Sequence, residues 1–511
     1  MSDREETGAL EYHERTSHTP RSVRRASPGL DFENKPRPYK IYEALPSVEL
    51  PEAIRSPQQP ALSVITQPGP DGEEGRAPDL EALAGLCYYS AGSTKRIRRG
   101  GREIEFRAAA ATGALYHVDL YLVVGDLTDL DAGVYHFDPR ALSLDALREG
   151  DYRGVLATAS GSEAVERAPV TVVTTSTWWR NAWKYEERTF RHAFWDSGTV
   201  LANLLSVAHA LDLRAEAVLG FADEPVAELL GVDPAEEAPL ELVPIGAGGT
   251  VPDAPEPEPI DPETRPLSDR EEEHPLIQEA WRAGVLPDGE AAREWRSAAV
   301  EASLGPPRTG DGERIALDPV DHETESKRPL HETIERRGSC REYDREPISF
   351  RKFSTVLERA TRGTPIDARD PGGPALAFVE AYLIVNGVEG VPAGAYRYRP
   401  EEGELERLMA GEFREEAGHL ALDQRLAADA AACVYFTADL DRVVDTLGDR
   451  GYRLAQFEAA IAAGRLYLAT YAHRDLGGTG LTFYDDLVTE FFSPRAEGRA
   501  PMFLYTLGRP A

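Results

Sequence analysis

Apolar or small residues occupy positions 194, 198, 201, 205 and 208, every third or fourth place through the stretch 183–233. That spacing predicts a long buried helix. The same pattern returns later. A shift of 262 carries Arg188, Phe190, Arg191 and Ala193 onto Arg450, Tyr452, Arg453 and Ala455, and Asp196 onto Glu458. Leu219, Phe221, Asp223, Val226 and Glu228 likewise meet Leu481, Phe483, Asp485, Val488 and Glu490. Upstream, at a shift of 261, HVDLYLVV (117–124) matches FVEAYLIV (378–385), and AGVYHFDP (132–139) matches AGAYRYRP (393–400). A repeat unit of this length, present twice, is a duplicated domain and not a solenoid array.

The remaining pattern divides the chain into four parts. Residues 1–78, rich in Pro, Arg and Glu, predict an extended arm packed on the first domain and ending in a GPDGEEG loop at 69–75. The first domain spans 79–250. It should hold a helix over 78–89 with Asp79 near its start, a basic loop at 95–102, and the small-residue stretch RAAAATGALY at 107–116. A strand LYLVV, a hairpin from GVYHFD, a strand VTVVTTS, the long helix, a strand AVLGF, a helix PVAELLG and a last strand LELVPIG follow. Residues 251–327 form an acidic, Pro-rich linker, with one or two helices over 274–303 and a loop GPPRTGDGE. The second domain, 328–511, closes on the strand MFLYTLG. Strands and helices so intermixed predict an α+β class of layered sandwich.

Composition narrows the function. A length of 511 residues exceeds one core. The net charge of −32 argues against duplex nucleic acid or an anionic membrane as partner. Lysine occurs only at 35, 40, 95, 184, 327 and 352, so arginine supplies most of the positive charge. An acidic, lysine-poor surface suggests a salt-rich, halophilic cytosol, where screening relieves self-repulsion. Three cysteines, Cys87, Cys340 and Cys433, make neither a disulfide framework nor a zinc cluster, and no metal site is expected. With no apolar run of membrane-spanning length, the chain reads as soluble and cytoplasmic.

Candidate chemistry lies at the head of the second copy. There Arg337, Ser339 and Arg341 place two guanidinium groups and a hydroxyl on one short segment, a set suited to bidentate phosphate recognition. Later, Gly477 and Gly478 would let a flat cofactor approach the backbone. Asp485 and Asp486 should cap the last helix. Cys340, His192, His209 and His473 read as packing residues.

The Arg-x-Ser-x-Arg head, the Gly-Gly turn after the long helix and the aromatic last strand ending in Gly-Arg resemble the FMN-binding nitroreductase superfamily. YHERTSH (12–18), GALYHVDLY (113–121) and WKYEERTFRHAFWDSGTVLANLL are similar to its SagB/ThcOx-type dehydrogenase branch. The resemblance implies two tandem nitroreductase-like α/β sandwich domains forming an intramolecular pseudo-dimer, with FMN in the cleft between them. Carried over, Arg337, Ser339, Arg341, Gly477, Gly478 and Arg509 match the cofactor-binding set of one domain. The loop from Arg107 through Gly113 and Ala114 would reach the cofactor from the other. Alanines at 108–111 replace the serines and prolines expected there, and the first copy lacks an Arg-x-Ser-x-Arg head, so at most one flavin site per chain follows.

Lys184 and Tyr185 match the catalytic Lys-Tyr pair of azoline-oxidising members. Lysine suits the task because burial can tune its pKa, whereas arginine stays charged. The implied activity is dehydrogenation of azoline rings to azoles in a ribosomally made peptide, with peptide-modifying proteins as partners. Two alternatives remain: an NAD(P)H-dependent nitro or quinone reductase, and a flavin-poor scaffold in a peptide-modifying complex.

Overall fold

A computed structural model describes residues 7–25, 29–51, 53–65, 76–99, 102–248, 254–303, 310 and 312–511. The expected GPDGEEG loop and most of GPPRTGDGE lie outside the described residues.

Each copy folds as a sheet carrying one long central helix. In the first domain six strands lie in the order 47–49, 143–149, 133–138, 118–124, 170–177, 237–245. In the second, seven lie in the order 477–481, 500–508, 432–438, 379–385, 394–399, 404–410, 314–316. All neighbouring pairs are antiparallel. The duplication survives to single-residue register. Val124 pairs with Val170, and its counterpart Val385 pairs with Ala432. Bulges recur at equivalent places, between Val134 and Tyr135 and between Ala395 and Tyr396. The inner strands are buried along their whole length. In the first sheet helices pack on both faces: Leu120 and Leu122 share one apolar cluster with Leu201 and Leu205 of the central helix, and Tyr121 and Val123 share another with Val155, Leu156, Val226 and Leu229.

The central helices, Thr189–Ala210 and Arg450–Ala472, are buried throughout and pack on one another. A Cβ at Gly198 would lie 2.6 Å from the Cβ of Ala460, and one at Gly464 would lie 2.6 Å from the Cβ of Ala202. Residues 198 and 460 are counterparts in the repeat, as are 202 and 464, so each helix meets its own duplicate at the crossing. Contact between equivalent positions is the mark of a two-fold interface. The two domains form one internal pseudo-dimer.

Several expectations change. The basic stretch at 95–102 is no loop: Ser93–Arg99 and Arg102–Arg107 form a two-stranded ribbon, with Ile97 and Ile104 paired across it. Alternation of apolar and charged residues there is the strand period, which the charge density masked. AVLGF forms only isolated bridges, because Ala217 bonds to Pro365 and Asp367 of the second domain. The arm packs on both domains: Tyr12 lies against Phe190 and Tyr452, and the Ala9 N–H donates to Asp449 at 2.5 Å. The linker helices Pro275–Ala283 and Gly289–Ser303 also bridge the domains. Trp295 Nε1 donates to the Leu447 carbonyl at 3.0 Å, while Arg296 Nη1 donates to that of Gly220 at 2.7 Å. The helix Asp485–Phe492 begins after Tyr484, and Asp485 turns to Arg188 and Arg191 instead of capping it.

Candidate functional site

Four segments distant in sequence meet along the domain boundary. Helix Leu330–Arg336 ends where Arg337 leaves the helical conformation, and the chain then runs beside the C-terminus. The Cys340 N–H donates to the Gly478 carbonyl at 3.1 Å, the Asp344 N–H to that of Arg509 at 3.1 Å, and Tyr343 bridges Pro510. The Arg-Ser head, the Gly-Gly strand and Arg509 are thereby held together. Arg341 and Arg509 are exposed, and Ser339 is half-buried. Arg509 Nε lies 3.2 Å from Asp344.

Arg337 points elsewhere. Its Nε donates to the Ala108 carbonyl at 2.9 Å, and its Nη2 donates to those of Arg107 at 3.0 Å and Ala109 at 3.2 Å. The guanidinium fork thus ties the first domain's alanine loop to the head of the second, and its plane lies 5.8 Å over the Tyr467 ring. The loop offers backbone carbonyls where hydroxyls were missed, and a five-donor cation is the side chain that can gather three of them. Arg107 contributes its carbonyl; its own guanidinium is buried between Tyr39 and Tyr116, where burial lowers its pKa to about 10.

The far end of the loop is fixed from the central helix. Asp196 accepts from the Thr112 N–H at 2.9 Å and from its hydroxyl at 2.7 Å, and lies 3.0 Å from His117 Nε2. Its counterpart Glu458 accepts from three successive N–H groups, at 377, 378 and 379. Their alignment was visible in the sequence, but the loop-holding role was not. Gly113 (φ 64°) and Ala114 (φ 52°) then take left-handed backbone, strained for alanine. A Cβ at Gly113 would meet the Tyr185 hydroxyl at 2.8 Å. Lys184 Nζ lies 4.9 Å over that same ring, and partial burial lowers its pKa below the usual lysine value. One loop therefore runs from Arg337 to Tyr185.

The glycines serve packing. The space a Gly478 side chain would take is filled by the Tyr505 hydroxyl, and that of Gly477 by Pro510 and Cys340. The Gly480 N–H is taken by Tyr467 Oη at 2.6 Å. Cys340 is buried, and burial raises its thiol pKa. On the opposite side of the pseudo-axis the matching backbone is covered. The Ala217 N–H donates to the Pro365 carbonyl at 2.9 Å, and the Leu219 and Gly220 N–H groups donate to the Asp367 carboxylate at 2.9 and 3.0 Å. The two sides of the boundary have diverged.

The model of the nitroreductase family matches residues 91–247 and 334–490, more than half of the chain. A nitroreductase-type protein of Methanocaldococcus jannaschii is 30% identical over 185 residues, covering 35% of this chain and 90% of that one. The trifolitoxin-processing protein TfxB of Rhizobium leguminosarum bv. trifolii is 26% identical over 169 residues, 32% of this chain and 45% of its own. Among solved structures, a nitroreductase-type protein from Anabaena variabilis superposes with a TM-score of 0.74 at 26% identity, covering 98% of this chain and 99% of that one.

Proposed function

Because the chain belongs to the nitroreductase family, whose members are typically flavin-dependent, we propose that it is an FMN-dependent oxidoreductase that dehydrogenates azoline rings to azoles in a ribosomally made peptide. The observation that carries this reading is the single loop 107–114, clamped by Arg337 at one end and resting on Tyr185 beside Lys184 at the other. The similarity to a protein named for trifolitoxin processing supports a peptide as substrate.

The donor set at the head fits a flavin phosphate: two exposed guanidinium groups, Arg341 and Arg509, and the half-buried Ser339 hydroxyl. Arg337, engaged with three carbonyls, positions the loop. FMN bound there would supply a two-electron acceptor for the hydride that leaves the ring. Lys184, its pKa already lowered, takes the ring proton on Nζ. Tyr185 shields that ammonium on one side, and Asp196 keeps Thr112 and the loop in register with it.

A second reading, a flavin-poor scaffold, is favoured by one observation. The cavity against Ala109, Ala110 and Ala111 measures only about 10 Å³, room for about one water. Flavin absorbance of the purified chain decides between them. Near one FMN per chain supports the enzyme; a colourless protein that added FMN does not stabilise against heat supports the scaffold.

A further inference from the structure

The duplication makes each domain a control for the other, and one pair of equivalent places has diverged in charge. In the first domain, strand residues Asp119, Tyr121, Asp138 and Glu237 present an acidic face at the end of the sheet. The N-terminal arm covers it. Lys40 Nζ lies 2.6 Å from Glu237 and 3.0 Å from the Tyr121 hydroxyl, and the Tyr42 hydroxyl meets that of Tyr121 at 3.1 Å. The arm is held there in extended form by residues 263–265, with the Arg265 N–H donating to the Ile41 carbonyl at 2.9 Å. Space left beside Lys40, about 470 Å³, is lined by further acids, among them Asp233, Glu236 and Glu271.

The matching positions of the second domain read Glu380, Tyr382, Arg399 and Arg499. Asp138 has become Arg399, Glu237 has become Arg499, and His136 has become Arg397. The place of the arm is a cavity of about 540 Å³ with an apolar floor that includes Leu376 and Phe378, lined by Arg397, Arg399, Arg442 and Arg499. Its acids have partners. Glu380 is shared by Arg397 at 3.2 Å and Arg499 at 3.3 Å, Glu402 pairs with Arg399, and Glu401 accepts the Ala375 N–H at 3.1 Å. Asp439 caps the helix Leu440–Leu447. Arg397 is 8% exposed, and its Nε–H is buried without a hydrogen-bond partner.

We infer that this cavity binds an extended acidic peptide segment, docking as the arm docks on the first domain but with a carboxylate where Lys40 stands. Shape and charge both carry the assignment. The cavity lies within the size range of ligand sites. Two acids of the first domain are arginines here. Although Glu380, Glu402 and the buried Glu406 engage Arg397, Arg399 and Arg499, the exposed Arg442 and the unpartnered Arg397 Nε–H face the cavity, where planar guanidinium forks suit a carboxylate. With a net charge of −32 the chain offers an acidic segment no general attraction, so binding depends on the arginines of the cavity.

The test uses the full chain and two fluorescein-labelled heptapeptides read by anisotropy at matched ionic strength. One has the sequence of arm residues 39–45; the other carries the change K40E. Binding of the acidic peptide at least tenfold tighter than its lysine twin is the expected result. Arg499→Glu should reverse that preference. Arg442→Glu, on an exposed helix position, should weaken acidic binding tenfold with thermal stability unchanged, which guards against misfolding of the buried variant. Equal affinity for the two peptides, absence of saturable binding, or indifference to both substitutions would overturn the inference. So would displacement of the peptide by inorganic phosphate or glutarate at comparable concentration, which would assign the cavity to a small anion.

Discussion

Arg191 Nη1 lies 2.6 Å from Asp485 Oδ1 across the domain boundary, and Arg453 Nη1 lies 2.6 Å from Asp223 Oδ1 across it in the opposite sense. Arg188 at 3.2 Å and Arg450 at 2.5 Å complete the two sets. All six side chains are almost fully removed from solvent. Each domain sends two arginines from the N-terminal end of its central helix, Arg188 standing just before the first turn, to one aspartate at the head of the other domain's last helix. A displaced interface would leave these charges buried and unpaired, so the duplicated triads favour one orientation of the halves.

Asp485→Asn removes the charge that pairs with two buried guanidinium groups and puts an NH2 donor in place of one of the two oxygens that accept from Arg188, Arg191 and the His18 N–H. Breaking such a set costs about 3–5 kcal/mol, read as a lowered urea midpoint. Despite burial, the neighbouring arginines hold the Asp485 pKa far below the ordinary value. Its stabilisation is therefore complete above the unfolded-state pKa of about 3.9 and is lost as pH falls below it. The wild-type chain should lose stability in acid more steeply than the variant.

Gly198→Val should loosen the pairing of the halves. The added carbons collide with Ala460 and the Ile461 backbone, the latter 2.9 Å from the first of them. Overpacking of a fixed crossing costs about 1–3 kcal/mol, visible as a lower thermal midpoint. A comparable loss is expected for Gly464→Val, whose collision is with Thr199 and Ala202. Unchanged midpoints for both would mean the helices are free to separate.

Glu241 is fully buried beside the Thr174 and Ser197 hydroxyls, and burial raises its pKa to about 7. In the unfolded chain it ionises near 4.3. Ionisation is thus easier unfolded, and stability falls as pH rises from about 4.3 to about 7. Glu241→Gln removes this penalty, roughly 3 kcal/mol at neutral pH. The variant should gain over wild type at neutral pH and show little gain at pH 4.5 in parallel urea titrations.

Under the proposed function, Lys184→Ala should leave flavin content unchanged while azoline oxidation drops by about two to four orders of magnitude, the usual worth of a general base. Because the base acts when neutral and its pKa is lowered, the wild-type rate should climb to a plateau with a midpoint below the ordinary lysine value. Normal oxidation by the variant would remove Lys184 from the chemistry.

The repeat itself carried the architecture. Period and spacing predicted the buried helices, the inner strands and their duplication, because burial on every side leaves a continuous apolar record in the chain. The head segment, the Gly-Gly strand and Lys184 were visible as residue types. What they touch was not. Sequence placed Arg337 among phosphate ligands, Gly478 beside a cofactor and Asp485 at a helix cap. Folding aims Arg337 at three carbonyls of the other domain, fills the space beside Gly478 with Tyr505, and turns Asp485 toward Arg188 and Arg191. Apolar patterning is local and repeats with the element that bears it, so one chain determines it alone. The partner of a polar group is chosen by whichever donor or acceptor the fold brings within about 3 Å, and for Arg337 and Asp485 that choice exists only once two halves, 228 residues or more apart at these contacts, have closed on each other.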